Sequence, residues 1–134
     1  MKATIERAYT QYLKDIEAII GTDVTMSNDL EVLGSTLFGQ RFRGVFAHDK
    51  IPTLSASDLC IANLDDDHEE GTHWVGIAGD LCYDSFARTG IGFDNYKQTE
   101  RDVEQRVHEN NCGARSMAFL CIVFVYGKKA AYYV

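Results

Sequence analysis

A chain of 134 residues, 46% hydrophobic and with Pro52 as its one proline, fits a single compact domain over 1–134 without linker, repeat or low-complexity stretch. Its net charge of −7, with no basic cluster beyond Arg41-Phe42-Arg43 and Lys128-Lys129, argues against strong nucleic-acid binding. The start of the chain lacks a signal-like apolar segment, the longest apolar run is too short to span a bilayer, and Cys60, Cys82, Cys112 and Cys121 show neither CxxC pairing nor zinc spacing. A soluble protein that is not secreted is therefore expected, with no disulfide framework, metal or cofactor.

Ile5, Ala8, Tyr9, Tyr12, Leu13, Ile16, Ile19 and Ile20 fall at helical spacing, so residues 4–20 predict an amphipathic helix, capped by Gly21 and packed on the core. Ser27-Asn28-Asp29 can cap a second, short helix through Leu30, Val32 and Leu33, which Gly34 is expected to stop. Gly39 and Gly44 then break a phenylalanine-rich stretch, read as a loop running to Pro52. Strands are expected at 58–63, 73–79 and 81–86. The acidic insert Asp65-Asp66-Asp67-His68-Glu69-Glu70-Gly71 lacks the alternation and glycine placement of a calcium loop and reads as a solvated hairpin loop. Residues 99–107 fit either period: Tyr96, Glu100, Val103 and Val107 are spaced as on a helix, whereas Thr99, Arg101, Val103, Gln105 and Val107 alternate as on a strand. The run Ser116 to Tyr126 predicts a buried helix, and Ala130 to Val134 a packed end or an arm.

The chemistry gathers around Asn111-Cys112-Gly113, at the mouth of that apolar helix. Unpaired N–H groups and the positive end of the macrodipole favour a thiolate there. Cys60, Cys82 and Cys121 lie inside apolar runs and read as core thiols. His73, opening a strand, offers a base, Asp84 an orienting carboxylate, and Gln105 an amide donor for an oxyanion. The four follow one another in the order His, Asp, Gln, Cys. Asp80 and Asp94 are the fallback carboxylates, and Trp74, Gly71, Asn111 and Gly113 are assigned to the substrate cleft.

His73-Trp74 opening a strand, Tyr83-Asp84-Ser85-Phe86 in the next, and Gln105 followed at a fixed interval by Cys112-Gly113 resemble the adenain-like cysteine proteases, which comprise the adenovirus maturation protease and the related SUMO- and ubiquitin-like-protein-specific proteases. The resemblance covers roughly residues 27–127, reaching upstream through Leu33-Gly34, Phe38-Gly39, Phe42 to Phe46 and Leu59 to Asn63. It implies an α+β fold: a small mixed sheet, a buried helix beginning at Cys112, and N-terminal helices packed alongside. In that reading residues 99–107 form a strand ending near Gln105, and the short link after Phe86 leaves one face of the sheet without its usual layer. Trp74 would back the imidazole.

The expected activity is thiol endopeptidase cleavage of capsid or other structural precursors in a viral or virus-like particle, after small residues such as Gly-Gly. A monomer acting in the virion, or in the host cytoplasm or nucleus at assembly sites, is expected. The family's DNA activator is not carried over, given the charge, and the need for a peptide activator stays open. Two other readings compete: an isopeptidase removing ubiquitin-like modifiers with the same residues, and a non-catalytic binding or structural protein on the same scaffold.

Overall fold

In the computed structural model, described over residues 1–21, 27–63, 73–84, 96–99 and 111–134, the elements run α1 (Lys2–Ile20), α2 (Ser27–Phe38), β1 (Phe42–Ala47), β2 (Leu59–Asn63), β3 (Trp74–Ala78), β4 (Leu81–Tyr83), β5 (Lys97–Gln98) and α3 (Cys112–Tyr126). Short 3-10 segments occupy Gly39–Arg41 and Lys128–Tyr133. The architecture is mixed α+β. Strands β2, β3 and β4 form an antiparallel meander, and β1 and β5 join its two edges in parallel, giving the order β1-β2-β3-β4-β5.

α1 follows its periodicity: Ile5, Tyr9 and Ile16 are buried, while Ala8, Tyr12, Leu13 and Ile20 pack at the margin of the core. Ile19 departs from the expected stripe and is 68% exposed. Gly21 closes the helix at a φ of 88°, its N–H donating to the carbonyl of Glu17. α2 does not stop at Gly34 as expected but continues to Phe38. A methyl group at Gly34 would overlap the ring of Phe42, so this glycine permits close packing inside a helix and does not end it.

The stretch expected to wander from Gly39 to Pro52 contains β1. Phe42 pairs with Leu59 and Val45 with Ile61, with a register shift between Phe42 and Val45. Gly44 sits within that irregularity at a φ of +127°, where glycine carries no side-chain penalty. The residue that reads as a strand breaker is the bulge of a strand. No signal in the sequence announces β5, and the remainder of 100–107 lies outside the described residues.

α3 is the centre of the molecule. From Cys112 to Val123 every residue is buried except Arg115, which is partly exposed. A helix apolar all round belongs in a core, and α3 packs against β3 on one side and against α1 and α2 on the other. The opposite face of the sheet holds Cys60, Ala62, Val75, Ile77 and Cys82, covered by Phe46, Ile51, Leu54 and Tyr96. Among the described residues no helix lies there; the link after Phe86, on which the expectation of a missing layer rests, lies outside them. Ala130 and Ala131 are buried, so this segment packs on the core and does not extend as an arm.

Contact between β3 and α3 depends on Gly76. A Cβ at this position would stand 3.0 Å from Phe119 Cδ2 and 3.0 Å from the Ser116 carbonyl oxygen. Alanine gains about 0.4–1 kcal/mol from a less flexible unfolded chain, but overpacking against a helix backbone costs roughly 1–3 kcal/mol. Gly76→Ala should therefore destabilise the fold by about 1–2 kcal/mol, read as a lower urea midpoint at unchanged m value. An equal or higher midpoint would show that α3 moves aside freely.

Candidate active site

Three elements deliver three side chains to one place. β3 begins immediately after His73, β4 ends immediately before Asp84, and α3 begins with Cys112. Because β3 and β4 are antiparallel neighbours, with Gly76 opposite Tyr83, the start of one lies beside the end of the other, and His73 meets Asp84. Their Nε2 and Oδ1 atoms are 2.7 Å apart, with both residues buried.

Cys112 completes the set. Its Sγ accepts a hydrogen bond from the Trp74 backbone N–H at 3.3 Å, and its thiol is hydrogen-bonded to His73. The peptide unit that follows the imidazole thus holds the Cys112 sulfur, and the Ser116 hydroxyl donates to the Trp74 carbonyl at 3.1 Å. Two contacts to one residue of β3 fix both the height and the rotation of the first turn of α3.

The electrostatics suit an ion pair. Burial alone would lower the basicity of His73, but hydrogen bonds to Asp84 and Cys112 and the electrostatic influence of these two groups outweigh it and raise the pKa to about 9. The shift favours the imidazolium form. The other thiols behave as core groups: burial, aided by Asp58, pushes Cys60 up to about 12. Burial likewise pushes Cys121 up to about 12 and, with Asp84 and Cys60, raises Cys82.

Asn111 is a good helix-capping residue that does not cap. Its side chain makes no capping bond to the backbone N–H groups of the first turn of α3. Its amide Nδ2 donates instead to Glu17 Oε2 at 3.5 Å, and its Oδ1 accepts from Arg115 Nε at 3.1 Å. The N-terminal turn of α3 is left without a side-chain cap, and backbone donors there are the usual means of holding an anion.

Of the residues singled out in the sequence, His73, Asp84 and Cys112 come together, with Trp74, Asn111 and Gly113 around them. Trp74 has its indole in the core on the α3 side of the sheet, 4% exposed, and acts on the sulfur through its backbone. Gln105, Gly71 and Asp94 lie outside the described residues. Asp80 is on the exposed β3–β4 turn beside Lys97 and Lys128, away from the imidazole. Sequence reasoning misses two neighbours of Trp74. Ser116 has a signal that could have found it, a hydroxyl placed in an apolar run. Asn63 pairs across the ladder with Trp74, and its Oδ1 is a buried oxygen without a hydrogen-bond partner among the described residues.

Among the described residues no group of His, Cys, Asp or Glu could hold a metal ion, and no helix is long and apolar enough to cross a membrane. No family model, curated protein or solved structure matches the chain.

Proposed function

We propose that this chain is a small cysteine endopeptidase of the adenain-like kind. The observation that carries this reading is the buried Asp84–His73–Cys112 relay, assembled from positions far apart in sequence. A relay of carboxylate, imidazolium and sulfur is costly to bury unless each member is paired.

The steps follow from the geometry. The Cys112 thiolate attacks a peptide carbonyl carbon, and a tetrahedral oxyanion forms. Backbone donors at the uncapped turn of α3, with Gln105 by resemblance, stabilise it. The C–N bond breaks as His73 gives its proton to the leaving amine, leaving a thioester on Cys112. Water then attacks the thioester carbon, its proton passes to His73, and the acid leaves with the sulfur restored as thiolate. Asp84 keeps the ring oriented and stabilises its cationic form throughout.

The substrates in this reading are structural precursor proteins of a viral or virus-like particle, cut after small residues such as Gly-Gly. The resemblance supports that choice. Alkylation by a small reagent, located by peptide mapping, tests the reading without any substrate. At pH 7 Cys112 should label faster than a free thiol, and His73→Ala should abolish the excess rate. Labelling no faster than that of a free thiol, and alike in both proteins, would overturn the proposal. Processing of a folded modifier fusion, without cleavage of short Gly-Gly peptides, would replace the endopeptidase by a deconjugating enzyme.

A further inference from the structure

α1 touches the machinery at two points, and each contact falls on the residue immediately before a member of the relay. Near its middle, Tyr9 and Tyr83 share a buried hydrogen bond between their hydroxyls at 2.8 Å, and Tyr83 precedes Asp84. The Tyr9 ring meets Tyr83 edge-on, at 6.4 Å and 64°, while Tyr83 also stacks on Phe119. Near its end, Glu17 accepts from the side chain of Asn111, which precedes Cys112 and is 6% exposed. Between those two residues the helix rises about 12 Å, at 1.5 Å per residue.

Apolar packing alone does not fix a helix along its axis, because it is non-directional. Ile5 and Ile16 hold α1 against the core but tolerate a small slide. Hydrogen bonds at two points about two turns apart do not. The Asn111 amide also lies between a carboxylate and a guanidinium, each engaging the end of opposite polarity, which fixes its orientation.

We infer that α1 is a strut that sets the distance between Asp84 and Cys112, with Tyr9 and Glu17 as positioning residues acting through Tyr83 and Asn111. This rests on the cysteine-protease reading. Neither residue touches the reacting atoms. Their effect is on alignment, to which a nucleophile and its base are steeply sensitive.

The test measures the rate of Cys112 alkylation by iodoacetamide at pH 7, with urea midpoints taken on every variant. Tyr9→Phe removes one oxygen and Glu17→Ala one acceptor. Each should slow labelling about three- to tenfold, the range that one net hydrogen bond supports. Glu17→Gln keeps an acceptor and should stay within about twofold of wild type on the same grounds. Asp15→Ala, which breaks a surface hydrogen bond with Gln11 on the same helix, should change nothing. For cleavage, kcat should fall while KM holds, and Tyr9→Phe should move the alkaline limb of the pH profile down, since it acts through Asp84.

Asn111→Asp serves where either deletion fails to fold: it sets a carboxylate against Glu17, should slow labelling, and should recover when combined with Glu17→Gln. A fast wild type with Tyr9→Phe and Glu17→Ala equally fast would overturn the strut and leave the protease reading standing. Slowing in Glu17→Gln as large as in Glu17→Ala would remove Glu17 from it. A wild-type Cys112 no faster than a free thiol would overturn the protease reading itself, and the strut with it.

Discussion

On the proposed cysteine-protease mechanism, cleavage of a Gly-Gly peptide should fall by roughly 10⁴-fold or more in Cys112→Ala and in His73→Ala alike, since members of such a relay act as a unit and their losses do not add. The double variant should be no slower than either single one. The pH profile carries the sharper information. His73 must be protonated to release the leaving amine, and its pKa is raised to about 9. The cation is therefore present below that value and lost above it, so kcat/KM should decline as pH rises through about 9. In Asp84→Asn the negative charge disappears and the bond to the ring is no longer charge-assisted, while burial, which favours the neutral ring, stays. The alkaline limb should then move to lower pH, and the rate should fall steeply at every pH. An alkaline limb unmoved in Asp84→Asn would show that Asp84 is not what holds the proton on His73.

The second large effect is on stability. Phe119 is fully buried, its ring stacked on Tyr83 at 4.9 Å between centroids and 9° between planes, with its edge against Gly76. Phe119→Ala should cost about 3–5 kcal/mol, of which the cavity left between helix and sheet is a substantial part. Domains are stable by about 5–15 kcal/mol, so this is a third or more of the total for a fold in the middle of that range. For a chain of this size the melting temperature should drop by roughly 10–20 °C. Phe119→Leu, which refills much of the space, should recover over half of the loss. A shift below about 1 kcal/mol in Phe119→Ala would mean that α3 collapses onto β3 without it, contrary to the close fit at Gly76.

Local signals make several elements legible in the amino-acid sequence. The stripe from Ile5 to Ile20 marks α1, alternating and apolar runs mark β2, β3 and β4, and the unbroken run after Cys112 marks α3. His73, Asp84 and Cys112 are legible because each sits at the end of such an element, where a polar residue interrupts an apolar pattern. What is not legible depends on distant partners. Gly34 reads as a helix stop because nothing nearby reveals the Phe42 ring packed against it. Gly44 reads as a breaker because the bulge it relieves exists only once β1 pairs with β2. Tyr9 and Glu17 read as ordinary members of a helix, since their partners stand 74 and 94 residues away. β5 is two residues long and has no period to detect.

The burial of α3 has a consequence for how the protein opens. Amide protons in the middle of α3, from Met117 to Val123, are enclosed on every side, so hydrogen exchange there should require unfolding of the whole domain and report its full free energy. Cys112 begins that same helix. The bonds of Cys112 and Ser116 to Trp74 tie its first turn to β3, so the sulfur should stay beside the imidazole until the core opens. The enhanced reactivity of the thiol and the native structure should disappear together under denaturant, in one transition, with no intermediate that keeps the fold and loses the activated sulfur.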